Sequence, residues 1–333
     1  MPRALVTGGT GLAGSYIIER LVRDGWNVRA LVRSPSRMVE LLGAECVIGD
    51  VLDADAFLRA AARRDAIFHN AAAVTPDGGW EAFRRPNVDG TANAIAAART
   101  SGARLVQLSS AGVYGPAARY RTDGLKTDEA TPLTPLSERA YYARSKRESE
   151  ELVMRAHRAG EIWATALRPT VIYGERDRQF TPRVARFLSR GLVPLVGGGV
   201  SIFSVVHAAN VADGAVRAAT SDVAGGRAYN LANDFEVTVR RFFELAGEGL
   251  GRRIRFVNLP EPIARGALRV VKAITRALTG GKMSVVSNAS LAWMTRDNPF
   301  TSDRARAELG WTPTVRPEAG VPEAFRWWAD HHH

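Results

Sequence analysis

Five short apolar runs alternate with amphipathic stretches through the first 110 residues, and this alternation confines the chain to a parallel sheet with helices on both faces. The runs are ALVTG (4–8), NVRALV (27–32), CVIGD (46–50), AIFHNAA (66–72) and RLVQLSS (104–110). Between them SYIIERLVRDG, AFLRAAARR and TANAIAAARTSG carry helical spacing, and two of these are closed by glycine. A further strand is expected from Ile162 through IWATALRPTVIYG, and another in RAYNLA at 227–232. The fold class expected is therefore α/β, with a doubly wound parallel sheet. After Gly174 the pattern loosens. The division expected is a core over 1–174 with a returning element at 204–250. A smaller interleaved lobe takes mainly 175–203 and 251–330, and His331, His332 and His333 read as a tag remnant.

Composition removes several classes of function. Apolar residues at 46% and charged residues at 24% describe an ordinary globular chain. A single cysteine, Cys46, allows neither an internal disulfide nor a cysteine-based zinc cluster. The native histidines His69, His157 and His207 are scattered, so no metal site is expected. No apolar run reaches the roughly 18 residues of a membrane span, and the N-terminus enters a strand directly, so the expected compartment is the cytoplasm. The net charge of +11 favours anionic partners. It is spread along the chain without a basic tail or an RNA motif, so nucleic acid is not an expected partner.

The first strand runs into TGGTGLAG, where Gly8, Gly9, Gly11 and Gly14 precede a helix beginning near Leu12. Such a turn lets backbone approach a pyrophosphate and faces it with a helix N-terminus, so a dinucleotide is expected against Gly8, Thr10, Gly11, Leu12 and Gly14. About 20 residues on, where NAD enzymes carry an acid for the ribose, the second strand ends Leu31-Val32-Arg33. With no carboxylate to repel a 2′-phosphate, Arg33 can pair with it and Arg37 can assist, so NADP(H) is preferred over NAD(H). An Arg33 that only stacks on adenine would admit either. At the end of the third strand, Asp50 and Val51 stand where adenine is read, or Asp50 caps the next helix.

Tyr142 and Lys146 lie four apart in YYARSKRESEELVMRAHR, on one face of a helix. A phenol with a pKa of about 10 is a poor base near neutrality, and an ammonium beside it is expected to lower that value. Ser110 closes RLVQLSS at the carboxyl edge of the sheet and can hold a substrate oxygen there for proton transfer, while a nicotinamide exchanges hydride. Ser109 is the alternative, since only one of two successive residues can face that way.

Taken in order, TGGTGLAG, GDV, HNAAA, NVDGT, LSSAGVYG, YYARSK and RPTVIYG resemble the extended short-chain dehydrogenase/reductase family over nearly the whole chain. The resemblance implies a Rossmann core and a catalytic set of Ser110, Tyr142 and Lys146. Ser110 is chosen because it stands three before Val113-Tyr114-Gly115. It also implies that Lys146 holds the nicotinamide ribose, that Asn70, Ala71 and Ala72 line the cofactor, that Pro169 and Ile172 touch its nicotinamide end, and that the protein forms homodimers. Asn87 matches the family's helix asparagine, and a helix-start role explains it equally.

Two departures narrow the family. Dehydratases carry an Asp-Glu pair after the catalytic hydroxyl, where this chain has Ala111 and Gly112. Nucleotide-sugar enzymes carry an arginine two before the aromatic of a strand such as IFSVVH, where this chain has Ser201, although Arg183, Arg186 or Arg190 could substitute. VRALVRSP resembles dihydroflavonol reductases and NPFTSDRARAELGWTP resembles 3β-hydroxysteroid dehydrogenases. The expected function is thus reduction of an apolar ketone or oxidation of its alcohol, with a nucleotide-sugar epimerase and a non-catalytic NADP sensor as alternatives. In 262–279, Arg265, Arg269, Lys272 and Arg276 form the basic face of an amphipathic helix, readable as a lid, a peripheral membrane contact or plain surface.

Overall fold

The computed structural model describes residues 1–332 apart from 75–77, 120–122, 190, 233–234 and 261–296. The amphipathic segment 262–279 and Arg190 therefore lie outside the described residues.

Alternation within each strand buries both faces of the sheet. Leu5, Leu31, Ile67 and Leu105 point into one apolar cluster, while their neighbours Val6, Ala30, Phe68 and Val106 point into another. The strands are β1 (Arg3–Thr7), β2 (Asn27–Val32), β3 (Glu45–Ile48), β4 (Ala66–His69), β5 (Arg104–Leu108), β6 (Ala164–Pro169), β7 (Val171–Tyr173), β8 (Leu192–Val196), β9 (Val205–His207), β10 (Ala228–Leu231) and β11 (Arg255–Leu259). Seven of them form a parallel sheet in the order β10-β6-β5-β4-β1-β2-β3, a Rossmann arrangement. The order reverses between β1 and β4, so a crevice opens at the carboxyl ends of these two strands.

The helices are α1 (Leu12–Arg23), α2 (Arg37–Leu41), α3 (Ala54–Ala61), α4 (Trp80–Arg84), α5 (Gly90–Ser101), α6 (Pro116–Arg119), α7 (Tyr141–Arg158), α8 (Phe180–Leu188), α9 (Ala208–Thr220) and α10 (Val239–Gly249). A π-turn, Arg85–Asp89, joins α4 to α5. Residues of α1 and α9 fill one face of the sheet, and residues of α3, α5 and α7 the other. Gly102, at φ 68°, closes α5 in the left-handed region that glycine adopts freely.

The run from Ile162 to Gly174, expected as one strand, is two. Pro169 has no N–H for the ladder, Thr170 gives its own to Leu231, and Val171 turns to Ser204. The chain changes sheets there, and β7 pairs with β9 outside the main sheet.

A second apolar core gathers Tyr173, α8, β8, Phe203, α10 and the helix Pro317–His331, with Phe203 and Phe242 rings 5.0 Å apart. Thus α10, inside the expected returning element, packs in the lobe. The helix Asp303–Leu309, inside the expected lobe, packs on the main core through Ala305 and Leu309. Trp311 follows it, fully buried, and its indole N–H donates to Asn210 O at 2.9 Å.

Close approach at Gly14 sets how α1 meets β1. A Cβ there would collide with the Gly8 carbonyl and come within 2.8 Å of Asn70 Nδ2. The substitution Gly14→Ala is expected to cost about 1–3 kcal/mol through forced backbone shifts, read by urea denaturation. Unchanged stability would show that this approach is not tight.

Candidate active site

The crevice is built first from backbone. At the end of β1 the chain turns through Gly8 at φ +67°, where a Cβ would stand 2.8 Å from Ala71 N, so only glycine fits against the neighbouring strand. Gly11 N donates to Gly8 O at 3.0 Å, closing the turn. Gly11 is the N-cap of α1, brings no side-chain cap, and no acid occupies the first turn. The leading N–H groups of α1 are thus left to an outside acceptor, on the helix end that favours negative charge. Gly11 is exposed and Thr10 and Leu12 are half-buried around this point.

Across the switch point, Asn70, Ala71 and Ala72 leave β4 half-buried. Asn70 Nδ2 donates to Gly8 O at 3.2 Å, and Ala71 N donates to Thr7 Oγ1 at 3.1 Å. The glycine turn and the expected cofactor-lining segment are therefore bonded to each other.

At the adenosine side, Arg33 follows β2 exposed, and Arg37 opens α2, also exposed. Asp50 accepts from Leu52 N at 2.9 Å, while Asp53 caps α3 by accepting from Ala56 N at 3.0 Å. The capping explanation of Asp50 is thereby removed, because the helix starts three residues later than that role requires. Val51 O accepts from Asn93 Nδ2 at 2.9 Å.

On the opposite strands, Ser110 is the N-cap of the tight turn Ala111–Tyr114, its Oγ accepting from Gly112 N at 3.1 Å. The same hydroxyl lies beside the Tyr142 phenol at the start of α7, near enough to favour its ionised form. Ser109 is buried, and its Oγ has no partner among the described residues. Of the two serines, only Ser110 meets the tyrosine.

Lys146 is buried, and its Nζ donates to Leu108 O at 2.7 Å. Burial pushes its pKa down to about 8, against the opposing pull of the Glu150 carboxylate. The Tyr142 phenol, expected to be lowered by an adjacent ammonium, is instead raised by burial, with only the neighbouring Ser110 hydroxyl pulling it down. The physical reason is that the lysine is turned to the end of β5. Pro169, buried, and Ile172, half-buried, flank the end of β6.

Two buried groups behind the site escaped the sequence reading. Arg168 pairs with Glu150, one turn beyond Lys146, with Nε at 3.0 Å from Oε1. Its Nη1 donates to Tyr114 OH at 2.8 Å, and Tyr114 OH donates to Asn230 Oδ1 at 2.8 Å. His69 lies between Thr7 and Thr91. RPTVIYG and HNAAA, which contain Arg168 and His69, are visible in the sequence, but their partners come from distant segments. Arg183 and Arg186 lie on the exposed side of α8, and Ser201 accepts from Val239 N through its carbonyl. Among the described residues no three His, Cys, Asp or Glu side chains are grouped to hold a metal, and no helix is long and apolar enough to cross a membrane.

The cradle fits a dinucleotide. Its glycines keep side chains out of the turn, its helix end offers unpaired donors, and no carboxylate stands at the ribose position.

Residues 4–232 match the NAD dependent epimerase/dehydratase family. A ketoreductase of 4-hydroxy-2-methyl-3-oxo-4-farnesyl-3,4-dihydroquinoline-1-oxide from Stigmatella aurantiaca is 32% identical, covering 96% of this chain and 94% of its own. A 2-alkyl-3-oxoalkanoate reductase from Stenotrophomonas maltophilia is 30% identical, covering 96% and 97%. Among solved structures, that of gox2253 superposes with a TM-score of 0.78 at 27% identity, covering 100% of this chain and 99% of the other. A UDP-galactose 4-epimerase at 20% identity, with a TM-score of 0.72 over 99% and 100% of the two chains, shares the fold. By this match and these relatives the chain belongs to the NAD dependent epimerase/dehydratase family, the extended short-chain dehydrogenases/reductases, and is an oxidoreductase.

Proposed function

We propose that the protein is an NADPH-dependent reductase of a ketone carried on a large apolar body, running the reverse oxidation of the secondary alcohol when conditions favour it. The observation that carries this reading is the Tyr142 phenol held against the Ser110 hydroxyl in surroundings that raise its pKa. A phenol kept protonated is a proton donor, which is what a carbonyl oxygen needs as it becomes an alcohol.

In this reading Ser110 and Tyr142 both hydrogen-bond the substrate oxygen. The carbonyl carbon gains a hydride and the oxygen gains the Tyr142 proton, which gives the alcohol and a phenolate that solvent reprotonates. The dinucleotide, when bound, supplies the hydride. Gly8, Thr10, Gly11, Leu12 and Gly14 hold its pyrophosphate and Arg33 takes the 2′-phosphate. Asp50 and Val51 read adenine, and Asn70, Ala71, Ala72, Pro169 and Ile172 enclose the remainder. Lys146 holds the nicotinamide ribose, releasing the Leu108 carbonyl to do so.

The apolar substrate class is supported by the relatives. One acts on a farnesylated 3-oxo-dihydroquinoline oxide, one on a 2-alkyl-3-oxoalkanoate, and a third, 25% identical, is a sterol-4-alpha-carboxylate 3-dehydrogenase from Dictyostelium discoideum. Ala111 and Gly112, in place of the acid pair of dehydratases, leave no carboxylic acid at those two positions after Ser110. A cytoplasmic homodimer completes the proposal.

A screen of apolar ketones and secondary alcohols, followed by the near-ultraviolet absorbance of NADPH and NADH, is expected to show net coenzyme oxidation or reduction. An epimerase would show none. Tyr142→Phe should lower kcat by about a hundredfold to ten-thousandfold, and an NADP sensor would keep its function with phenylalanine. Arg33→Ala should raise KM for NADPH by about tenfold or more through loss of charge-assisted bonds, leaving NADH little changed; equal effects on both coenzymes would refute the phosphate role. Because Lys146 binds its proton with a pKa of about 8, its charge is lost as pH rises through that value. Coenzyme affinity should fall on the alkaline side, and Lys146→Arg, whose guanidinium stays charged, should move that limb beyond the measured range.

A further inference from the structure

His69 ends β4 one residue before the cofactor-lining segment, and all its surroundings are interior. Thr7, His69, Thr91, Asn87 and Ser145 are each 2% exposed or less. Five such polar groups cost free energy in an interior unless every donor finds an acceptor.

The hydrogen bonds among them have one consistent direction. Thr91 Oγ1 donates to Asn87 O at 2.7 Å, which commits its only proton. His69 Nε2, 3.1 Å from the same oxygen, must therefore be the protonated nitrogen and donate to it. Nδ1 is then an acceptor, and Thr7 Oγ1, at 2.9 Å, donates to it. Thr7 Oγ1 in turn accepts from Ala71 N. Burial, with the Lys146 charge adding to it, pushes the His69 pKa down to about 3, so the ring stays neutral and the order holds at ordinary pH.

The chain continues through Asn87 into the catalytic helix. Asn87 lies in the π-turn, a geometry often found at functional sites. Its Oδ1 accepts from Ala73 N at 2.7 Å, and its Nδ2 donates to Ala73 O at 3.0 Å and to Ser145 Oγ at 2.8 Å. Ser145 Oγ donates to Tyr142 O at 2.9 Å.

We infer that His69, as its Nε2–H tautomer, is a positioning residue whose one-way hydrogen-bond chain through Thr7, Thr91, Asn87 and Ser145 sets the spacing between the segment Asn70–Ala73 and the Tyr142 end of α7. The inference rests on the proposed reading of those two ends as coenzyme side and proton-donor side. An imidazole is suited to this place because it spans two threonines while donating at one end and accepting at the other without charge.

Two measurements test it. In ¹⁵N-labelled wild-type protein, assigned by the loss of signals in His69→Gln, His69 is expected to show a bare Nδ1 and a protonated Nε2 with no titration across the neutral range. The opposite tautomer, or a titrating ring, overturns the chain. Second, Thr91→Val removes the acceptor of Nε2–H at nearly constant volume. NADPH is expected to bind about tenfold more weakly and kcat to fall, because a buried donor is left unpaired, with His69 becoming a mixture of tautomers. Thr91→Ser, which restores the hydroxyl, is expected to return all three to near wild type. Wild-type binding by Thr91→Val, or equal losses in the Val and Ser variants, refutes a positioning role through the hydrogen bond. Wild-type protein that binds neither coenzyme overturns the functional reading instead, and the tautomer measurement still decides the chain.

Discussion

The contact on which the site depends is the meeting of two strand ends at β1 and β4, where Gly8 passes so close to Ala71 that no side chain fits between them. The parallel pairing that sets Thr7 opposite His69 brings them there. Once that approach is made, the first turn of α1 is aimed into the crevice and Asn70 is bonded to the Gly8 carbonyl. The nucleotide cradle is thus a consequence of backbone geometry, with side chains excluded more than recruited.

The opposite half of the site follows a different principle. Ser110, Tyr142 and Lys146 come from a strand end and a helix start that pack across a polar layer rather than an apolar one. Most groups of that layer are paired, the buried Ser109 hydroxyl being an exception among the described residues. Arg168 and Glu150 neutralise each other, Tyr114 is bonded to both Arg168 and Asn230, and Asn87 is bonded to the backbone of Ala73. Buried polar networks of this kind cost desolvation and return a defined geometry. Here the elements they hold in place are those that carry the candidate proton-transfer groups.

Burial also alters the chemistry read from reference values. Spacing puts Tyr142 and Lys146 on one helical face, and in water their proximity would favour a phenolate. In the folded protein the lysine ammonium reaches the Leu108 carbonyl and burial dominates both groups, raising the phenol and lowering the lysine. Burial thus keeps the phenol protonated and makes the lysine easier to deprotonate than in water.

The linear sequence determined what depends on local periodicity and local turn chemistry. It carries the strand NVRALV, the helix from Tyr141 to Arg158, the glycine turn before Leu12 and the arginine where an acid would mark NAD, because strand alternation, helical spacing and glycine freedom are properties of neighbouring residues. Only the tertiary structure decided what depends on residues brought together from afar. It set Ser110 rather than Ser109 beside Tyr142, split the run at Pro169 between two sheets, and gave His69 two threonine partners. Each of those outcomes rests on which group finds a hydrogen-bond partner in the interior, and that is settled by packing rather than by order along the chain.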